Sequence, residues 1–175
     1  KTRSGRETAK SFGVRSRFVH FEFFRLLSDH EGLGKKGDLM ALEVNMRPSG
    51  GFTPDMINFA RETDVYKIWA DMVAYDSTQK PVGAHHFCAF AGLRDGKDFA
   101  MTPDAIIEKY TEQLKMVERM PDALSDAMGN QMYLATFDTE EALNAFFADV
   151  TRLKEVDTSE ESETAETIVV QVERT

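Results

Sequence analysis

The segments VHFEFFRLL (residues 19–27) and LMALEVNMR (residues 39–47) carry the pattern that decides the fold. Both are rich in apolar residues, and in the second segment polar and apolar residues alternate. Between them, residues 29–38, DHEGLGKKGD, consist mainly of glycine and charged residues. Two such segments joined by a glycine-rich stretch are typical of a β-hairpin with a long loop. The sequence therefore predicts an antiparallel pair of strands here.

Helix starts follow from a repeated signature. Thr53-Pro54-Asp55 and Thr102-Pro103-Asp104 each place a cap residue, a proline and an acid in the order that opens a helix. The second of these helices is expected to run to about Arg119. Between them, Asp64 is expected to cap a helix that runs toward Tyr75. Helical spacing predicts that this helix buries one apolar face, made of Val65, Ile68, Trp69, Met72 and Val73.

The remaining elements are strands and one helix. We expect a strand over 84–91, a tight turn at 95–97 into a short return strand near Phe99, and a strand over 132–137. A last helix follows Asp138, an acidic linker covers 158–164, and a terminal strand covers 168–172. The fold class predicted is α+β, an antiparallel sheet with packed helices. The expected division is 1–78, a small α+β region at 79–156, and a linker with terminal strand at 157–175.

Composition excludes several classes of protein. Hydrophobic residues make up 42% of the 175 and charged residues 29%, as in globular proteins. Without an apolar run of ~18 to 20 residues, no membrane span is expected. The single cysteine, Cys88, cannot pair within the chain, which fits a cytoplasmic protein. The net charge is −9, most of it after residue 154, and no basic stripe follows residue 17, so nucleic acid is not an expected partner.

Alternation in the second strand places three polar side chains on one face. Side chains two positions apart share a face of a strand, so Glu43, Asn45 and Arg47 point the same way. A solvated sheet face would give the same alternation. The first strand adds a further acid, Glu22. If the hairpin is centred between residues 32 and 33, Glu22 lies opposite Glu43.

Opposed glutamates need a partner for their charge. Like charges directly across an antiparallel pair destabilise it, and at ~4 Å the repulsion is about 4 kcal/mol at an effective dielectric constant near 20. Two carboxylates and an amide oxygen form an oxygen-rich site that suits Mg²⁺ or Mn²⁺. Arg47 is then placed to hold a phosphate or carboxylate. Gly50 and Gly51 let the main chain approach a ligand.

Together these residues resemble the second half of the ATP-grasp fold, the superfamily of biotin carboxylase, carbamoyl phosphate synthetase and the carboxylate-amine ligases. The match consists of Glu22 followed by Glu43-x-Asn45-x-Arg47 and then Ser49-Gly50-Gly51. It covers residues 19 to about 75. The resemblance implies that Glu22, Glu43 and Asn45 bind the metals that bridge the phosphates of ATP, and that Arg47 contacts the substrate or the transferring phosphate.

The resemblance also implies a reaction, and it implies that this chain alone does not carry it out. The expected activity is MgATP-dependent ligation of a small-molecule carboxylate to an amine or other nucleophile through an acyl phosphate. Because the family places its adenine and phosphate contacts before the first of these glutamates, the chain is expected to be a fragment that is inactive without an N-terminal half. The alternative is a non-catalytic binding or assembly module that keeps this fold. A homo-oligomer is compatible with either hypothesis.

His85-His86-x-Cys88 is a weaker signal. Only His86 and Cys88 share a strand face, whereas a structural zinc ion needs four ligands. A packed cysteine on a buried strand is the favoured interpretation. His20 shares a face with Glu22, and we expect either a hydrogen-bonded sheet histidine or a residue that positions Glu22 or a substrate.

Overall fold

A computed structural model of the chain describes residues 2–15, 17–78, 83–154 and 168–172. The protein is of the predicted α+β class. In chain order, the helices are α1 (Thr2–Ser11), α2 (Thr53–Arg61), α3 (Val65–Tyr75), α4 (Pro103–Lys109), α5 (Asp122–Met128) and α6 (Glu140–Thr151). The strands are β1 (His20–Arg25), β2 (Leu39–Asn45), β3 (Phe87–Leu93), β4 (Leu114–Arg119), β5 (Gln131–Phe137) and β6 (Ile168–Val172). None of the described helices is long and apolar enough to cross a membrane.

The chain forms two compact units. The first takes residues 1–54 and 64–80, and the second takes residues 55–63 and 81–174. The sequence-based division placed 1–78 together, whereas the structure groups most of α2 with the second unit. The terminal strand β6 also belongs to the second unit and pairs with β3. The predicted acidic linker at 158–164 lies outside the described residues.

The first unit is built on the predicted hairpin, in which β1 and β2 pair antiparallel. The α3 helix begins and ends where the sequence indicated. The Asp64 carboxylate accepts a hydrogen bond of 2.9 Å from the Lys67 amide, and Asp76 ends the helix in a left-handed conformation at φ 50°. The predicted buried face is wrong in part, because Trp69 is 47% and Val73 76% exposed.

The first unit buries few apolar side chains. Among its described residues only Val65 is a buried hydrophobic residue. An isolated two-stranded hairpin is marginally stable in water, and stability requires more strands or a packed helix. The first unit exposes ten large hydrophobic side chains: Phe12, Phe24, Leu27, Leu33, Leu42, Met46, Tyr66, Trp69, Val73 and Tyr75.

The second unit is a four-stranded antiparallel sheet in the order β4-β5-β3-β6. Its elements follow the order β3-α4-β4-β5-α6-β6, with α5 inserted between β4 and β5. This succession and strand order define the ferredoxin-like, split βαβ topology. Each crossover helix packs its apolar stripe on the sheet, which explains the burial of Ile106 in α4 and of Leu143, Phe146 and Val150 in α6.

Both faces of this sheet are buried. Ala89, Ala91, Tyr133 and Ala135 face the core that contains α4 and α6. Strand alternation puts a second buried set on the opposite face, namely Cys88, Phe90, Met132 and Leu134. Buried residues of α2 belong to the same unit, and the His86 amide donates a 2.9 Å hydrogen bond to the carbonyl of Ala60 at the end of α2.

Two expectations for this unit are wrong. The helix expected to reach Arg119 ends at Lys109, and the rest of the segment is the edge strand β4. The expected return strand near Phe99 is a single bridge to Leu153. In both cases a partner distant in sequence decides the backbone conformation, which a local pattern does not register.

Candidate functional site

The hairpin of the first unit brings the two predicted acids together. The register pairs His20 with Asn45 and Glu22 with Glu43, so the predicted opposition of the two glutamates is confirmed. An irregularity follows directly after Glu22 and shifts the register by one residue toward the turn. Local disruptions of this kind re-aim side chains and are frequent beside active sites. The four paired residues therefore form a compact polar group at the open end of the hairpin.

Each glutamate has a polar neighbour within this group. The Asn45 side-chain amide donates a 2.5 Å hydrogen bond to the Oε1 atom of Glu43. The same Nδ2 atom lies 3.5 Å from the Nδ1 atom of His20. The other ring nitrogen of His20, Nε2, lies 3.1 Å from the Oε1 atom of Glu22. If Nδ1 accepts from Asn45, the ring proton is on Nε2 and points at Glu22, so His20 positions this carboxylate.

The donor set fits a hard divalent cation that retains water. Glu22 and Glu43 can supply carboxylate oxygens, and Asn45, whose amide nitrogen is engaged by Glu43, can supply its amide oxygen. Glu22 is 42% exposed and Glu43 is exposed, so water and a ligand reach both. No cluster of three or more His, Cys, Asp or Glu side chains suited to a metal occurs in the described ranges. Two carboxylates with an amide suit Mg²⁺, which usually keeps several waters and takes further oxygens from phosphates.

The other predicted site residues lie in the loop after β2. Arg47 is exposed and its Nη1 atom donates a 2.9 Å hydrogen bond to the carbonyl of Pro48. Within the described residues it forms no ion pair with either glutamate. Gly50 has open space where a Cβ would lie, and Gly51 has φ 59°, a left-handed conformation that favours glycine. The structure therefore brings three of the six predicted residues together and leaves Arg47, Gly50 and Gly51 in the adjoining loop.

Sequence reasoning missed one cavity in the first unit. It has a volume of about 420 Å³ and is lined by Arg15, Arg17, Met46 and Asp76, among others. Met46 lies between Asn45 and Arg47 in the sequence, so this cavity adjoins the loop that carries the predicted ligands. The two arginines are exposed. They belong to a basic segment that no sequence pattern linked to the hairpin.

The second unit contains a larger cavity of about 690 Å³ around His86. The Nδ1 atom of His86 lies 2.8 Å from Asp138 Oδ1, and its Nε2 atom lies 3.6 Å from Glu62 Oε1. Glu62, Asp138 and Lys115 also line this cavity. The sequence singled out His86 as a strand residue. It could not indicate the two carboxylates, since they come from the turn after α2 and from the loop after β5.

Cys88 is fully buried on β3. Burial raises the pKa of its thiol to about 12, against a smaller opposite effect of the positive charge on Lys115. A neutral, enclosed thiol is a packing residue and not a nucleophile. The interpretation of Cys88 as a packed core cysteine is therefore confirmed.

Comparison of the chain with protein-family models, with curated proteins and with solved structures gives no match.

Proposed function

We propose that the chain carries the metal-binding part of an ATP-grasp-type ligase, which uses MgATP to join a carboxylate to an amine or another nucleophile. One observation supports this most directly, the pairing of Glu22 with Glu43 beside Asn45. Two carboxylates are held opposite one another in a partly exposed group, although like charges at such positions weaken a strand pair. A divalent cation bound between the two carboxylates would offset their repulsion and so explain this arrangement.

In this proposal each side chain has a defined task. Glu22, Glu43 and Asn45 hold Mg²⁺ or Mn²⁺, and His20 orients Glu22 through its Nε2 atom. When bound there, the metal would supply positive charge that offsets the negative charge of the phosphates during phosphoryl transfer. Arg47 holds the transferring phosphate or the carboxylate substrate by a charge-assisted contact. Gly50 and Gly51 supply backbone N–H groups near the phosphates.

Charge near the hairpin also supports a polyphosphate ligand. The cavity of Arg15 and Arg17 adjoins Met46, and guanidinium groups are well suited to phosphate oxygens. The exposed hydrophobic residues of the first unit also support the proposal. Further polypeptide that covers them would complete a hydrophobic core as well as a nucleotide site.

Binding of Mn²⁺ tests the proposal on the chain itself. Electron paramagnetic resonance reports free Mn²⁺, and a titration of the chain without ATP, which itself chelates Mn²⁺, gives the metal affinity of the site. We expect Mg²⁺ to compete, and Glu43→Gln to lower the Mn²⁺ affinity at least tenfold. The control is Glu31→Gln, which removes the same charge from an exposed position in the same hairpin. Equal affinities in the two variants would contradict the proposal.

Turnover of the complete gene product tests the reaction. Carboxylate-dependent and amine-dependent release of ADP is expected to be lost in Glu43→Gln and kept in Glu31→Gln. If Glu43→Gln hydrolyses ATP at the rate of the parent protein, the ligase assignment is wrong.

The alternative is a binding module, and the His86 cavity of the second unit favours it. A volume of about 690 Å³ lies in the range of small-molecule sites, and it holds a histidine between two carboxylates. This alternative predicts a ligand that binds in the cavity beside His86 and whose affinity does not depend on Mn²⁺. Substitution of Glu43 would then leave all binding unchanged.

A further inference from the structure

The cavity around His86 offers space and apolar contact to a small ligand. Its volume is about 690 Å³, and its walls come from α2, from residues 112–115, from the end of β5 and from α6. Phe59 of α2 and Ala142 of α6 line it, and neither of these residues is buried. Ligand sites of this size usually combine apolar walls with a few polar groups that fix the orientation of the ligand.

The charge of this lining is negative. Three carboxylates, those of Glu62, Glu112 and Asp138, stand against the single ammonium group of Lys115. His86 is the remaining ionisable residue of the lining. Because the acids outnumber the bases even when His86 is protonated, the cavity favours a ligand of positive charge and disfavours an anion.

His86 and Glu62 present two acceptors to one another. The Nδ1 atom of His86 lies 2.8 Å from Asp138 Oδ1, so in the neutral imidazole the ring proton is on Nδ1 and is donated to Asp138. The Nε2 atom is then an acceptor, and it lies 3.6 Å from the Oε1 atom of Glu62. No proton of either side chain joins these two atoms. A group that donates to both of them would remove the mismatch.

A primary ammonium group meets this requirement. It carries three N–H donors, so it can bond to His86 Nε2 and to the Glu62 carboxylate at the same time. Its positive charge offsets the excess of carboxylates, and hydrogen bonds between charged groups are the stronger ones. An alcohol brings one donor and no charge, and a quaternary ammonium group brings the charge without a donor.

We propose that this cavity binds a small primary amine, whose ammonium group lies between His86 Nε2 and Glu62 and whose apolar body packs on Phe59. The inference names the ligand chemistry of the cavity, which the alternative function leaves open. The site lies in the second unit and its tests use no metal, so it succeeds or fails separately from the role proposed for the hairpin.

Three probes with the same phenyl body test the proposal on the full chain at neutral pH. Phenethylamine carries the primary ammonium group, its N-trimethyl derivative keeps the charge without an N–H donor, and phenylpropanoate is an anion. Calorimetric titration gives the affinities, and intermolecular nuclear Overhauser effects to the Phe59 ring locate the probe. We expect phenethylamine to bind in this cavity roughly tenfold or more tightly than either of the others. No binding, binding elsewhere, or equal affinity for one of the other probes overturns the proposal.

Glu62→Gln removes the negative charge beside His86 Nε2 and keeps the shape of the side chain. The glutamine amide can itself donate to Nε2, so the two facing acceptors are lost. Phenethylamine affinity should therefore fall roughly tenfold. Glu108→Gln is the matched control, because it removes the same charge from an exposed position of α4 that does not line the cavity, and its affinity should equal that of the parent chain. Equal affinities in the two variants overturn the proposal.

The position of the ring proton in His86 gives a readout that needs no substitution. Heteronuclear NMR distinguishes a protonated ring nitrogen from one that accepts a hydrogen bond. In the complex with phenethylamine we expect the proton on Nδ1 and an accepting Nε2. A proton on Nε2 in the complex overturns the proposal.

Discussion

Glu22 and Glu43 are directly paired across β1 and β2, and each carboxylate is held by a different neighbour. His20 lies 3.1 Å from Glu22, and Asn45 donates a 2.5 Å hydrogen bond to Glu43. The neighbours fix both acids without neutralising both charges, since Asn45 is uncharged. The divalent cation that we propose for this site would supply the missing positive charge.

Replacing Glu43 by glutamine should separate two effects of this pair on the free energy of unfolding, namely the repulsion between the two carboxylates and the stabilisation by a bound cation. In metal-free buffer we expect the free energy of unfolding of Glu43→Gln to be equal to that of the parent chain or about 0.2 to 1 kcal/mol higher, because one of two opposed charges is gone. In the presence of Mg²⁺ the parent chain should instead be the more stable of the two. The parent chain gains about 2.7 kcal/mol at a Mg²⁺ concentration 100 times the dissociation constant, and the variant gains little. Urea unfolding with EDTA and with Mg²⁺ measures both quantities.

Glu31→Gln serves as the comparison for this experiment. Its charge change is identical, but Glu31 is exposed in the loop between the strands. We expect it to respond to Mg²⁺ like the parent chain. If Mg²⁺ stabilises Glu43→Gln and Glu31→Gln equally, the ion acts by general screening and not at the paired carboxylates.

The pairing was predictable because the hairpin is a local structure. Alternation with a period of two assigns faces, and the symmetry of the loop assigns register, so Glu22 and Glu43 could be matched from the sequence alone. The position of Arg47 was not predictable in the same way. Beyond Asn45 the strand has ended, its period no longer applies, and Arg47 contacts the neighbouring carbonyl of Pro48.

Cys88 should make stability fall at alkaline pH. The thiol has a folded-state pKa of about 12, whereas an exposed cysteine titrates near 8.5. Above about pH 8.5 the unfolded chain loses this proton while the folded chain keeps it, so unfolding is favoured as pH rises, by up to about 1.4 kcal/mol per pH unit. Cys88→Ala lacks this contribution. Urea unfolding under reducing conditions at pH 7.5 and 10 should therefore show a smaller alkaline loss in the variant, and an equal loss would contradict the burial of a neutral thiol.

Hydrogen bonding to Asp149 should contribute to stability at neutral pH. Tyr110 donates a 2.6 Å hydrogen bond to this carboxylate, and Lys109 pairs with the same oxygen. Tyr110→Phe is expected to lower the free energy of unfolding by about 1.5 to 3 kcal/mol at pH 7, the usual value for a hydrogen bond to a charged group. Urea unfolding measures this difference.

The effect of Tyr110→Phe should shrink in acid. Lys109 and then Tyr110 hold the pKa of Asp149 below its ordinary value. A depressed carboxyl pKa stabilises the fold above the unfolded-state pKa, near 3.9, and this contribution is lost as pH falls through the lower folded-state pKa. The parent chain and Tyr110→Phe should therefore differ less at pH 3 than at pH 7. A constant difference would show that the hydroxyl acts through packing.

The second unit was less accessible to sequence reasoning than the hairpin. Residues of β4 such as Leu114, Lys115 and Met116 have good helix propensity, and only pairing with β5 makes the segment a strand. For Trp69 and Val73 the helix was predicted correctly but their burial was not. Helical spacing predicts an apolar face, but it does not show whether another part of the protein covers that face. Tyr133 occupies an apolar position in the strand pattern, and only the placement of its neighbours shows that its hydroxyl lacks a hydrogen-bond partner among the described residues.

Close approach of backbones should make Gly92 intolerant of a side chain. A Cβ at this position in β3 would lie 2.0 Å from the carbonyl oxygen of Met128, at the end of α5, and 2.9 Å from its carbonyl carbon. Both atoms belong to main chain, so α5 must move away from the sheet. We expect Gly92→Ala to lower the free energy of unfolding by at least about 1 to 3 kcal/mol. Gly5→Ala is the control: its site in α1 is open, and alanine should raise helix stability by up to about 1 kcal/mol. Thermal unfolding followed by circular dichroism measures both, and a neutral Gly92→Ala would show that α5 does not rest on β3.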